Sequence, residues 1–279
     1  MLLSELIDRG RIAFEAAEIE SASADSELIV AFVLGVSRGE LQSKAIVGES
    51  LADTGEVEAL FARRAAREPL QHLTGEAYFR NLTLKVGKGV FVPRPETELL
   101  AGLAIEAASK FENPTVIDLC TGSGAVGIAI ATELPSAKVY AVEKSEDAFA
   151  FALENYKRLA PWATVILGDA ADAFQELNGS VQVVVSNPPY IPAAMVPIYP
   201  EVALHDPALA LYSGDDGLDL IRLISKRALE LLVAGGTIAF EHADMQSEAV
   251  VQLLLADGWR EVVDHKDFNS RPRAVTAIK

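Results

Sequence analysis

The sequence predicts an α/β fold: a mostly parallel, doubly wound sheet preceded by a small helical N-terminal domain and a β-hairpin linker. Three observations predict it. From residue 114 onward, short apolar runs alternate with longer segments of helical periodicity, the pattern of repeated β–α–β units. Before residue 70, apolar residues recur only at helical spacing. Between the two lies a compact run of β-type segments closed by Pro93 and Pro95.

Composition bounds the rest. Half of the 279 residues are hydrophobic and 23% are charged, a globular balance with room for one large or two smaller domains. The net charge of −16 argues against a chain that grips phosphate backbones, so no direct DNA binding is expected. One cysteine excludes an intramolecular disulfide and any cysteine-rich metal site. The histidines, His72, His205, His242 and His265, lack ligand spacing, so no metal is expected. The opening MLLSELIDRGRIAFEAAEIE breaks into charges too soon for a signal peptide. No long uncharged apolar window is present. The expectation is a cytoplasmic monomer without membrane contact.

Leu2, Leu3, Leu6 and Ile7, then Ile12, Ala13, Ala16 and Ala17, mark a first helix. A second starts near Ser23-Ala24-Asp25 and stops at Gly35. Glu56, Val57, Leu60, Phe61 and Ala65 mark a third, ended by Pro69. Helices this short need to pack together to be stable. AYF, LTLKV and VFV, separated by Arg80-Asn81 and Gly87-Lys88-Gly89, read as a hairpin or meander. Residues 96–110 read as a helix with acids at its start, where the helix dipole favours them. Then follow TVIDL (strand), AVGIAIATEL (helix), KVYAV (strand), EDAFAFALENYKRL (helix), TVIL and VQVVV (strands). LDLIRLISKRALELLV (helix), GTIAFE (strand), a helix over about 246–256 and the strand RAVTAI complete the chain. Residues 190–214 form a long Pro-rich stretch with little periodicity, the kind of loop that tends to carry function.

The run Asp118-Leu119-Cys120-Thr121-Gly122-Ser123-Gly124 follows a strand and opens a helix. Its glycines allow a tight turn and close approach of backbone to a ligand, and the helix start adds oriented N–H groups. Glu143 ends the next strand about 20 residues on, where an acid suits two ribose hydroxyls. Asp169 ends the third strand and suits an adenine amine, with Ala170 beside it. The loop lacks both the dinucleotide glycine pattern and a phosphate-binding lysine. Asp118 would oppose a pyrophosphate but suits an ammonium, which favours S-adenosylmethionine over NAD.

The strand VVVS runs directly into Asn187-Pro188-Pro189-Tyr190. Two prolines end the strand there, at the carboxyl edge where open α/β sheets bind ligands. The Asn187 oxygen and the Pro188 carbonyl can accept two hydrogen bonds from one planar –NH2 group. Tyr190 offers an aromatic face to the same group.

This tetrapeptide resembles the signature of methyltransferases that act on planar amide or amidine nitrogens. Phe91-Val92-Pro93-Arg94-Pro95-Glu96-Thr97-Glu98, Leu70-Gln71-His72-Leu73-Thr74-Gly75-Glu76 and Gly214-Asp215-Asp216-Gly217-Leu218-Asp219 resemble segments of the peptide chain release factor glutamine methyltransferases, in the same order along nearly the whole chain. The resemblance implies a Rossmann-like, seven-stranded class I methyltransferase sheet whose last strand, near Arg273, runs antiparallel. It implies S-adenosylmethionine held by Thr121, Gly122 and Gly124 of the loop with Glu143 on the ribose; Asp118, Cys120, Ser123, Asp169, Ala170 and Asn187 complete the expected cofactor site. It implies release factors as partners, whose GGQ glutamine is held by Asn187, Pro188, Pro189 and Tyr190. Asn187, Pro188 and Tyr190 are the expected catalytic positions. Arg94 and Glu96 either seat the substrate loop or clamp the hairpin to the next helix. The expected division is a helical substrate-recognition domain over 1–75, a hairpin linker over 76–93 and a methyltransferase domain over 94–279. Departures from the family pattern fall at Cys120, Ala170, His205-Asp206-Pro207 and Glu241-His242-Ala243.

An amide nitrogen is a poor nucleophile, and no strong base lies near the tetrapeptide in sequence, so catalysis is expected from positioning and polarisation. The alternative is a DNA adenine or cytosine exocyclic-amine methyltransferase, which would use the same tetrapeptide on a flipped base.

Overall fold

A computed structural model describes residues 1–279. In chain order the helices and strands begin with α1 (Leu3–Ala16), α2 (Ala22–Leu34), α3 (Arg38–Ile46), α4 (Gly55–Ala65), α5 (Leu70–Thr74), β1 (Glu76–Phe79), β2 (Leu82–Lys85) and α6 (Thr97–Ala108). The alternating part holds β3 (Thr115–Leu119), α7 (Ala125–Glu133), β4 (Lys138–Glu143), α8 (Glu146–Leu159), β5 (Thr164–Leu167) and β6 (Val181–Ser186). After it come α9 (Pro200–His205), α10 (Asp219–Leu231), β7 (Leu232–Glu241), α11 (Ser247–Ala256), β8 (Arg260–Lys266) and β9 (Pro272–Ile278). The chain divides into two compact units: Met1–Glu76 with Pro197–His205, and Ala77–Val196 with Asp206–Lys279.

In the helical unit, Leu6, Phe14, Ile29, Val30, Leu41 and Val57 are fully buried, and Phe14 meets Phe61 edge-on at 5.4 Å. Gly35 ends α2 in the left-handed conformation that glycine adopts freely. The sequence reading passed over α3, although Ser37 and Glu40 form a reciprocal capping box at its start. Its weak apolar face, with Leu41 alone buried, explains the omission. Sequence also gave no sign that α9 belongs to this unit. Glu201 on α9 accepts from Arg64 at 3.0 Å and from Arg67 at 2.8 Å, and Arg64 also binds Asp25 at 2.8 Å. Asp25 and Arg64 are both buried.

In the second unit, β1 and β2 form a two-stranded hairpin. The run VFV is not a third strand; Val90 and Val92 instead pack with Ala77, Val86 and Ala148 in a small core of their own. Arg80, at the hairpin turn, donates its backbone N–H to Glu98 and grips Glu133 of α7 through two nitrogens. The seven-stranded sheet has the order β5-β4-β3-β6-β7-β9-β8. The first five are parallel, and β9 runs antiparallel to both β7 and β8. The strand β8, absent from the sequence reading, is a mostly exposed edge strand carrying charges, which blunt an open edge but give little apolar signal. Two hydrophobic cores flank the sheet: one includes Leu100, Ile128 and Tyr156 from α6, α7 and α8, the other Ile221, Leu231 and Leu254 from α10 and α11.

Strand order reverses at β3, which has β4 on one side and β6 on the other. Such a switch point opens a crevice at the carboxyl ends of the strands. The glycine loop leaves β3 and the tetrapeptide leaves β6 at this point. The base of the Pro-rich stretch is held by backbone bonds: Ile191 N–H donates to the Leu211 carbonyl, Ser213 N–H to the Ile191 carbonyl and Ala193 N–H to the Gly214 carbonyl.

Replacing one partner of a buried ion pair strands the other charge away from water, at a cost of about 3–5 kcal/mol. Arg64→Ala is therefore expected to lower the urea midpoint of the helical unit, followed by far-ultraviolet circular dichroism. An unchanged midpoint would show that Asp25 does not depend on Arg64.

Candidate active site

The glycine loop is shaped from beneath. Cys120, Gly122 and Gly124 all take positive φ, at 63°, 59° and 92°. Asp118 is fully buried, and its Oδ2 accepts from the Thr121 hydroxyl at 2.6 Å and the Gly127 N–H at 3.0 Å. Gly127 is required by close approach: a Cβ there would stand 2.0 Å from the Tyr156 hydroxyl. The Asn155 side chain donates to the Ser123 and Lys85 carbonyls and accepts the Lys85 N–H, tying the loop to β2. Burial pushes the Cys120 thiol up, so it stays uncharged.

At the end of β4, Glu143 Oε2 accepts from Gly122 N–H and Oε1 from Ser145 N–H, each at 2.8 Å. Burial pushes its carboxyl above the usual range, against these backbone donors. A carboxylate offers about four lone-pair sites, so two bonds leave acceptors for other donors. Asp169 ends β5, with Oδ1 on the Ala171 N–H and Oδ2 paired with Lys144 at 2.8 Å. The Lys144 hydrogen bond holds Asp169 below the ordinary carboxylate range. Ala170 is buried in the core, so only its backbone is left to meet a ligand.

Asn187 is half-buried at the end of β6, and Pro188 behind it is buried. Asn187 Nδ2 donates to Thr97 Oγ1 at 3.2 Å, and that hydroxyl donates to Glu241 Oε2 at 2.7 Å. The Tyr190 hydroxyl donates to Glu241 Oε1 at 2.9 Å. The Tyr190 carbonyl accepts from Gln246 at 2.8 Å. A Cβ at Gly217 (φ +78°) would meet that carbonyl at 2.2 Å, which accounts for glycine in the GDDGLD run. Arg94 pairs with Asp206 at 2.9 Å and lies over the Phe91 ring at 5.0 Å, so it acts as an internal clamp here. Glu96 sits at the start of α6.

The loop, Glu143, Asp169 and the tetrapeptide thus share one sheet edge, as the sequence predicted. Asp118 is a correction. Sequence offered it to a cofactor ammonium, but it lies buried with its carboxylate bonded to the loop itself, and its work is to shape that loop. Lys144 stands outside the expected site, and the sequence expectations quote Thr97, Glu241 and Gln246 without giving them a role. Glu241 carried a usable signal, since it ends a strand at the same edge as Glu143 and Asp169.

Residues 5–75 match the family model described as PrmC N-terminal domain, and residues 82–196 match the methyltransferase small domain. A release factor glutamine methyltransferase of Streptomyces coelicolor is 48% identical over 94% of this chain and 93% of its own length. The chain belongs to the release factor glutamine methyltransferase family. A further family member, from Bifidobacterium longum, is 37% identical over the whole of both chains. A 4-amino-L-phenylalanine/4-methylamino-L-phenylalanine methyltransferase of Streptomyces pristinaespiralis is 36% identical over 92% of this chain and 88% of its own. Among solved structures, a release factor-specific protein-(glutamine-N5) methyltransferase of Alicyclobacillus acidocaldarius matches 70% of this chain and 98% of its own at 26% identity, with a TM-score of 0.42. No helix is long and apolar enough to cross a membrane.

In this member of the family, burial pushes the Asp118 carboxyl up to about 7. The unfolded chain releases that proton near pH ~4, so across roughly pH 4–7 the native state holds a proton that the unfolded state has lost. Its contribution to stability therefore falls as pH rises through that window. Asp118→Asn keeps an oxygen for Thr121 and Gly127 but removes the titration. Without added cofactor, its denaturation midpoint is expected to drop less than the wild type's between about pH 5 and about pH 8. Parallel profiles would contradict the assignment.

Proposed function

We propose that this chain transfers a methyl group from S-adenosylmethionine to the side-chain amide nitrogen of the glutamine in the GGQ loop of release factors. The sulfonium–methyl bond breaks as the nitrogen–methyl bond forms, and the products are methylglutamine, S-adenosylhomocysteine and the proton that the nitrogen sheds to water once the methyl is on it. Family membership supports the reaction and its substrate. The observation that carries the chemistry is Asn187 at the switch-point edge, with its –NH2 end already bonded to Thr97 and its oxygen left for a guest N–H.

The residues present fit the cofactor. Glu143 retains acceptor capacity for ribose hydroxyls, the loop from Thr121 to Gly124 offers backbone groups, and Asp169 stands at the next strand end for the adenine amine. Lys144, the cation beside them, is committed to Asp169. An acceptor-lined site of this kind suits an uncharged nucleoside and a sulfonium, and it suits a pyrophosphate badly. When bound, S-adenosylmethionine supplies an already electrophilic methyl group, so the chain need not activate it.

What the chain supplies is placement. Asn187 Oδ1 and the Pro188 carbonyl accept the two N–H hydrogens of the target amide. Both acceptors draw electron density onto the nitrogen and fix its plane. Tyr190 packs its ring beside that plane, while its hydroxyl is engaged with Glu241. Asn187 cannot take a proton, so rate comes from orientation and polarisation.

Charge-assisted hydrogen bonds are worth about 1.5–3 kcal/mol, so Glu143→Ala should weaken S-adenosylmethionine binding by that order in calorimetry. Asn187→Ala should cost on the order of 100-fold in turnover with cofactor affinity nearly kept, because its bonds matter most at the transition state. The decisive assay offers labelled cofactor with intact release factor, duplex DNA and 4-aminophenylalanine in separate reactions. Label is expected on the release factor glutamine. Label on DNA would replace this reading with the amine-methylating alternative, and label on the free amino acid alone would replace it with an arylamine activity.

A further inference from the structure

The tetrapeptide poses a problem that packing cannot solve. The two ends of an asparagine amide have nearly the same shape, so sterics do not choose which end faces the substrate. The wrong end would set one –NH2 group against another. Only the donor–acceptor polarity of its neighbours can decide.

That polarity can be followed atom by atom. An ionised carboxylate only accepts hydrogen bonds, and a threonine hydroxyl has one hydrogen to give. Thr97 gives that hydrogen to Glu241 Oε2 at 2.7 Å. Its oxygen is then left with lone pairs alone, and Asn187, 3.2 Å away, can bond it only through –NH2. The Asn187 oxygen is thereby turned to the other side. The second oxygen of the same carboxylate takes the Tyr190 hydroxyl hydrogen at 2.9 Å. One side chain at the end of β7 thus holds both ends of the tetrapeptide. Thr97 and Glu241 are 3% and 2% exposed, so water does not compete. Burial pushes the Glu241 carboxyl above its usual range and Glu96 at the start of α6 adds to the rise, while the Thr97 and Tyr190 hydrogen bonds and Arg273 on β9 favour the ionised form that accepts both hydroxyls.

We propose that Glu241 is a positioning residue for methyl transfer, whose carboxylate dictates, through the Thr97 hydroxyl, that Asn187 presents its oxygen to the substrate amide. This rests on the reading of Asn187 as the amide clamp. It assigns Thr97, within the PRPETE run, a role in orienting Asn187.

The test compares Glu241→Gln, Thr97→Val, Thr97→Ser and Asn187→Ala in the full chain, with intact release factor and S-adenosylmethionine. Glu241→Gln keeps the shape but can offer –NH2 to Thr97, which frees the threonine hydrogen to turn toward Asn187. Thr97→Val keeps the shape and removes the relay. Both are expected to lower kcat by about 10- to 100-fold, the order of loss for misaligned reacting groups. Cofactor Kd and melting temperature should stay close to wild type. Thr97→Ser restores the hydroxyl and should keep most of the wild-type kcat. Wild-type kcat in both Glu241→Gln and Thr97→Val, with Asn187→Ala impaired, would overturn the relay and leave the clamp standing. Equal loss in Thr97→Ser and Thr97→Val would also overturn it, as would a loss confined to cofactor Kd or melting temperature. Wild-type kcat in Asn187→Ala would overturn the clamp and the relay together.

Discussion

Where β6 ends, the buried Ser186 hydroxyl donates to the Leu119 carbonyl at 2.6 Å. That bond joins the last residue of β6 to the last residue of β3. One residue beyond Ser186 lies Asn187, and one beyond Leu119 begins the turn of the glycine loop. The proposed methyl transfer needs two ligands held against each other, and the strand pairing from Val116–Val183 to Leu119–Ser186 brings the glycine loop and the tetrapeptide together. The reversal of strand order at β3 opens the sheet at this point. The surrounding devices, Asp118 beneath the loop and Glu241 beneath the tetrapeptide, keep each segment in shape.

The site is rich in acceptors, and Arg273, the cation nearest the tetrapeptide, lies beside the Glu241 carboxylate and 3.9 Å from Asp267. Glu143, Asp169 and Asn187 present oxygen, and Lys144 is committed to Asp169. Such a lining would repel a phosphate-bearing cofactor and suits partners that bring their own positive charge or their own N–H and O–H hydrogens. A sulfonium nucleoside and a primary amide both do so. The same logic accounts for the absence of a general base from the proposal: where the nucleophile has to be aligned rather than deprotonated, two well-held acceptors serve it better.

Local features were legible in the sequence, and features made by tertiary contact were not. The glycine loop, Glu143 and the tetrapeptide are each contiguous or sit at a strand end, so their residue types and spacing reveal them. The antiparallel β9 was likewise expected. The burial of Asp118 could not be read, because Asp118 at a strand end looks like Glu143 until the loop folds over it. The pairing of Thr97 with Glu241 spans 144 positions and depends on α6 lying against the sheet. The helix α3 and the strand β8 escaped notice because each buries too little apolar surface to leave a periodic trace. Nothing in the Pro-rich stretch announced that residues 197–205 would join the helical unit through Glu201.

The most direct test of this account is a crystal structure of the wild-type protein with S-adenosylhomocysteine and an intact release factor. The expected result places the glutamine –NH2 against Asn187 Oδ1 and the Pro188 carbonyl, with Glu143 bonded to the ribose hydroxyls. A glutamine amide bound through its oxygen to Asn187 Nδ2, or seated away from the tetrapeptide altogether, would contradict it.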